Sequence, residues 1–175
     1  MVVKKRGQVW VETVTYTLIA FVMIGLVLSF ARPKIEEMQD KVIIEQSVSM
    51  LKEIDQTIQE VGEGEIGNKR KIEVTIKKGS LEIFPEDNNL SFKIESRYLY
   101  SEPGQEYQEG NLKIITVEKG KYNDLTINMT IDSSLYDLEY QGGEDKKIIT
   151  KSPNPYNFFI SKKQGTPAII NFEVE

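Results

Sequence analysis

Glu12 is the residue whose type and position most directly suggest chemistry. It is the only formally charged side chain between residues 9 and 31, in a run that is otherwise mostly apolar. A carboxylate at membrane depth is costly, and such groups usually pair with an opposite charge or mark a functional site. Two interpretations remain open: a functional carboxylate that meets a positive charge, or a Glu near the end of an ordinary anchor, wetted by lipid headgroups.

Two asparagines are candidate modification sites. Asn89 and Asn128 begin the patterns Asn-Leu-Ser and Asn-Met-Thr, which are acceptors for N-glycosylation. The acidic and amide residues at 87–89 and 144–145 could supply oxygen ligands to calcium. Neither segment has the ligand spacing of a calcium loop, so we expect solvated turns there and no metal site.

A glycine-rich run at residues 62–67 matches the letters of the dinucleotide fingerprint G-x-G-x-x-G. That motif must follow a strand and open a helix whose N-terminus receives phosphate. Here the run follows a helical pattern, and Glu63 and Glu65 within it would repel phosphate. The run is therefore interpreted as a linker, since glycine readily ends helices.

The composition excludes several classes of protein. The chain contains no His and no Cys, which rules out triads with a histidine base, the usual zinc sites and disulfides. Its 22 Lys and Arg against 27 Asp and Glu give a net charge of −5, which is unfavourable for nucleic-acid binding. We expect no enzymatic activity, no cofactor and no nucleic-acid partner. Most of the tyrosines in the second half of the chain are expected to pack in a sheet.

The N-terminal segment indicates a membrane helix. Lys4, Lys5 and Arg6 precede the apolar residues 9–31, whose length suits a crossing of about 17–25 residues. Positive charge before the apolar run predicts a cytoplasmic N-terminus and an exported remainder. A secretory peptide removed after its apolar region fits less well, because that region would be shorter and end in small residues.

The helical pattern continues beyond the apolar run. Apolar residues recur at steps of mostly three and four from Ile35 to Val61, with charged residues between them. This predicts one helix over residues 8–61. Pro33 should bend it without ending it, because proline removes one backbone donor and crowds the preceding turn.

After Gly67 the apolar period changes to two, which is typical of strands. Alternating runs occupy residues 71–77, 81–84, 90–95, 112–117, 125–131, 135–140 and 168–174, with weaker ones near Ile148 and Phe158. The predicted fold class is α+β: a long N-terminal helical spine followed by an antiparallel, sandwich-like β domain over residues 68–175.

The N-terminus resembles a type IV prepilin signal peptide. A basic leader of residues 1–7 ends in Gly7, Gln8 follows, and Glu12 would be the fifth residue after cleavage between Gly7 and Gln8. A first mature Gln is similar to the archaeal class III signal peptides, although Trp10 stands where that family favours Ser. The resemblance covers the leader and the helix, and the β domain matches the family in general plan.

The resemblance implies a structural subunit of an extracellular type IV pilus-like filament. Its partners would be further pilin subunits, a prepilin peptidase and an assembly platform in the membrane. The Gln8 ammonium of one subunit would lie near Glu12 of a neighbour. One alternative is a minor pilin or pseudopilin-like component of a related secretion or archaellum machine. Another is an uncleaved membrane-anchored receptor or adhesin.

Overall fold

The computed structural model describes the backbone of residues 6–175 and the side chains of residues 9–175. In this part of the chain, one helix is followed by ten strands, as expected for the predicted α+β class. The elements are α1 (Arg6–Glu63), β1 (Lys69–Val74), β2 (Ser80–Phe84), β3 (Asn89–Ser96), β4 (Glu106–Glu109), β5 (Leu112–Lys119), β6 (Tyr122–Thr130), β7 (Tyr136–Tyr140), β8 (Lys147–Thr150), β9 (Tyr156–Lys163) and β10 (Ala168–Val174).

The helix α1 runs without interruption through Pro33, as predicted, and ends two residues beyond the expected position. A side chain of the sheet caps its C-terminal end. The Lys162 ammonium on β9 donates to the carbonyl oxygens of Gly62 and Gly64 at 2.6 and 2.9 Å. The last carbonyls of a helix have no partner within it, and a cation at this end also complements the helix dipole. The bend expected at Pro33 stays a prediction.

The strands form two sheets. One has the order β1-β9-β10-β7, and the other has the order β4-β5-β6-β3-β2-β8. All neighbours pair antiparallel except β7 and β10, which are parallel. The strand β4, at the edge of the larger sheet, was not predicted, because its residues Glu-Tyr-Gln-Glu show no apolar alternation.

The chain divides into two compact units between Met38 and Gln39, within α1. The second unit therefore contains the C-terminal half of the helix as well as the β domain, whereas the sequence suggested a division at residues 62–67. In this unit one hydrophobic core joins side chains of α1 to both sheets. The helix contributes Ile44, Val48, Leu51, Ile54, Ile58 and Val61, all at most 5% exposed.

The helical apolar stripe differs from the expected one at its start. Ile35, Met38 and Val42 are at least half exposed, whereas the buried face begins with Asp40 and Ile44. Residues four apart lie on the same side of a helix, so Asp40 continues the face of Ile44 by one turn.

Candidate functional site

The apolar half of α1 is exposed along its described length. Its large side chains include Trp10 at 72% and Phe30 at 80% exposure, and the others between them are nearly half exposed or more. Within the described residues this is one helix long and apolar enough to cross a membrane. The helix is compatible with a single-pass membrane anchor.

Polar side chains of this segment differ in how they are satisfied. The hydroxyls of Thr13, Thr15 and Thr17 each donate to the carbonyl oxygen four residues earlier, at 2.8–2.9 Å. Such bonds remove the cost of placing a hydroxyl in hydrocarbon. In the described part of the chain, no hydrogen bond or ion pair is formed by the Glu12 carboxylate.

The predicted processing site lies at the N-terminal limit of the described backbone. Lys4 and Lys5 lie outside the described residues, while Arg6, Gly7 and Gln8 belong to α1 by their backbone. Cleavage between Gly7 and Gln8 stays a prediction.

Asp40 connects α1 to the β domain and was not singled out from the sequence. One carboxylate oxygen accepts from the Lys78 ammonium at 2.5 Å, and the other accepts the backbone N–H of Arg97 at 2.7 Å. Its side chain is nearly fully buried. The sequence feature that could have identified Asp40 is its position one turn before Ile44 on an apolar helix face. An acidic residue is unusual there unless its charge is paired.

The two glycosylation patterns lie next to each other in the six-stranded sheet. In the antiparallel pairing of β3 with β6, Asn89 is opposite Thr130 and Ser91 is opposite Asn128. Leu90 and Met129, between them, belong to the core, so the patterned side chains share the opposite face of the sheet. The Asn89 Oδ1 and Ser91 Oγ atoms are buried without a hydrogen-bond partner among the described residues. Glycosylation at both sites stays a prediction.

The turn at residues 87–89 has a structural role through Asn88. Its Oδ1 accepts the Leu138 N–H at 2.7 Å, and its backbone lies in the left-handed region with a φ of 48°. This amide therefore ties the β2–β3 hairpin to β7. Asn and Asp tolerate left-handed backbone better than other non-glycine residues.

No family model, curated protein or solved structure matches this chain. Among the described residues, the N-terminal part of α1 is apolar and exposed with one carboxylate, and the C-terminal part contributes one face to the core of the β domain.

Proposed function

We propose that this protein is a structural subunit of an extracellular type IV pilus-like filament. The observation that supports it is α1: its first half is apolar and exposed with one carboxylate, and one face of its second half is buried in the core of the β domain. A helix of this kind can be held by lipid before assembly and by the helices of other subunits afterwards.

The pairing of charges supplies the assembly mechanism. Cleavage between Gly7 and Gln8 creates an ammonium on Gln8 and removes the positive charges of Lys4, Lys5 and Arg6, which would hold the N-terminus at the cytoplasmic face. The Glu12 carboxylate then receives the Gln8 ammonium of a neighbouring subunit. A buried ion left without its partner costs about 3–5 kcal/mol, so the pair selects the subunit register.

The partners and location follow from this mechanism. The subunit is a single-pass membrane protein with a cytoplasmic N-terminus until a prepilin peptidase and an assembly platform act on it. Head-to-tail contacts that do not close produce helical filaments, so the main partner is a further copy or another pilin. The role is structural, without catalysis, and the filament serves attachment at the cell surface.

Glu12 variants in the native host test the proposal. Glu12→Ala and Glu12→Gln should leave expression and cleavage intact and reduce sheared surface filaments at least tenfold, because neither side chain can pair with an ammonium. Thr13→Val is the matched control, since the Thr13 hydroxyl already bonds within its own helix. The measurement is sheared filament against mature subunit in the membrane, with the N-terminal residue identified by mass spectrometry.

The outcomes separate the alternatives. Normal filament yield from Glu12→Ala would refute the pairing mechanism. Native protein that retains residues 1–7 and forms no filaments would favour the anchored receptor. Cleaved protein present only as a trace component of filaments built from another subunit would favour the minor pilin or pseudopilin-like role.

A further inference from the structure

A small cleft in the β domain combines aromatic walls with acidic groups. It has a volume of about 210 Å³ and lies at the edge of the six-stranded sheet, between β4 and the loop before it. Its lining residues are Tyr100, Ser101, Glu102, Gln105, Glu106 and Tyr107. Drug-sized ligands occupy pockets of roughly 300–1,000 Å³, so this cleft suits a single head group.

The loop that forms one wall is held in place. Residues 102–105 form a turn in which the Gln105 N–H donates to the Glu102 carbonyl at 3.2 Å and Gly104 has a φ of 73°. Pro103 followed by a glycine with positive φ is typical of a type II turn. The Gly104 N–H also donates to the Thr116 carbonyl on β5 at 2.8 Å. The wall is therefore preorganised, which lowers the entropy cost of binding.

The two tyrosines form an edge-to-face pair. The Tyr100 and Tyr107 ring centroids are 6.4 Å apart and their planes meet at 67°. Tyr100 is fixed because its hydroxyl donates to Glu109 at 3.1 Å, and Glu109 is itself 2.6 Å from the Lys52 ammonium. Tyr107 is 49% exposed and offers its ring to a ligand. The face of an aromatic ring carries negative potential and attracts cations.

Both charged side chains that line the cleft are acidic, and one of them has a cationic neighbour outside the lining. Glu102 and Glu106 are its charged lining residues; Lys113 lies 3.4 Å from Glu106, and no ion pair is formed by Glu102 among the described residues. Burial and the hydrogen bond to Glu109 raise the pKa of Tyr100 to about 12, so this phenol stays protonated and neutral under physiological conditions. An anionic ligand would be repelled, whereas a cation gains from both the rings and the carboxylates.

We propose that this cleft binds an alkylammonium group, with the cation against the Tyr107 ring and beside the Glu102 and Glu106 carboxylates. The same chemistry is present in a free quaternary ammonium compound and in a lysine side chain of another protein. Every residue of the cleft belongs to the second compact unit, so binding there does not use the Glu12 carboxylate.

Tyrosine-ring NMR of the full chain, in a non-ionic polyoxyethylene detergent, tests the proposal. The probes are choline, its uncharged isostere 3,3-dimethylbutan-1-ol, N-acetyl-lysine methylamide and glucose. We expect choline to shift the Tyr100 and Tyr107 resonances in a saturable way, and the uncharged isostere to bind at least fivefold more weakly. If the lysine derivative shifts the resonances at a lower concentration than choline does, the natural ligand is a lysine side chain of another protein. If choline acts at the lower concentration, the natural ligand is a free quaternary ammonium compound.

Variants locate the interaction. Tyr107→Ala should weaken choline binding at least fivefold, while Tyr107→Phe should retain it because the ring remains. Glu102→Gln should weaken binding about threefold, and Glu86→Gln, an exposed carboxylate on the β2–β3 turn, should have no effect. Saturation by glucose, equal binding of the uncharged isostere, or no saturable shift with either cation would overturn the proposal.

Discussion

The Asp40 carboxylate on α1 lies 2.5 Å from the Lys78 ammonium, which belongs to the turn between β1 and β2. The same carboxylate accepts the Arg97 N–H just after β3, so Asp40 joins the helix to two separate segments of the β domain. It is 5% exposed, whereas the Lys78 side chain is 38% exposed. The pair stands at the first turn of the buried helix face, where α1 enters the core.

Asp40→Ala should lower the free energy of unfolding of the β domain by about 1–3 kcal/mol, because the Arg97 N–H loses its acceptor in a buried place. Asp40→Asn should cost less, since its amide oxygen can still accept that bond. The measurement is urea unfolding of the full chain in detergent. Asp145→Ala, at an exposed position, is the control, and an equal effect of the two alanine variants would contradict the role of Asp40.

The position of the domain boundary predicts how fragments behave. A fragment of residues 39–175 should unfold cooperatively, whereas one of residues 68–175 should lack a cooperative melt and expose apolar surface. The physical reason is that Leu51 and Ile54 of α1 are fully buried in the core, and the fragment without the helix lacks about 1.5–3 kcal/mol of stabilisation for each of them. Thermal melts monitored by near-ultraviolet circular dichroism compare the two fragments.

A cooperative melt of the shorter fragment at the temperature of the longer one would show that the helix adds nothing to the core. Within the longer fragment, Leu51→Ala should cost about 2–5 kcal/mol. Val42→Ala, on the exposed face, should cost far less.

The ionisation of Glu82 should make the stability of the folded chain depend on pH below the ordinary pKa range of carboxyl groups. Burial opposes its ionisation, but the ammonium groups of Lys146 and Lys93, at 2.9 and 3.1 Å, outweigh burial and hold the Glu82 pKa below its ordinary value of 4.5. Because the pKa of Glu82 is lowered in the folded chain, its ionisation stabilises the fold at pH values above the pKa of the unfolded chain. That stabilisation is lost as the pH falls through the pKa of the folded chain.

Glu82→Gln should therefore be less stable than the parent chain at pH 7, and the difference should shrink as the pH falls below about 4.5. Urea unfolding between pH 7 and pH 3 measures this difference. Glu118→Gln, an exposed carboxylate, is the control. A gap between Glu82→Gln and the parent chain that stays constant across this range would show that the loss comes from packing and not from ionisation.

Cleavage should depend on the small size of residue 7. Gly7→Leu should leave the full-length precursor in the membrane, because a peptidase that closes around an extended chain has no room for a branched side chain. Gly25→Leu is the matched control, since a side chain at Gly25 meets nothing within 4 Å and lies far from the cleaved bond. Immunoblots of membrane fractions report the precursor and mature forms; normal processing of Gly7→Leu would place the cleavage elsewhere.

Local pattern alone determined the type of most elements, with β4 as an exception. The uninterrupted apolar run and the following steps of three and four predict α1, and the change to a period of two after Gly67 predicts strands, because each period matches the geometry of one backbone conformation. Glu12 is also conspicuous without any structure, as one carboxylate in an apolar run, and its role stays a prediction.

Only the tertiary structure decided which residues that are far apart in the sequence lie close together. The burial of Asp40, the alignment of the Asn89 and Asn128 patterns and the cleft beside Tyr107 all depend on the register between segments far apart in sequence. Register is set by which faces pack into one core, and a shift of one residue would turn each strand's side chains to the opposite face. For the same reason the second compact unit begins at Gln39, within α1, and not at the glycines near the end of the helix.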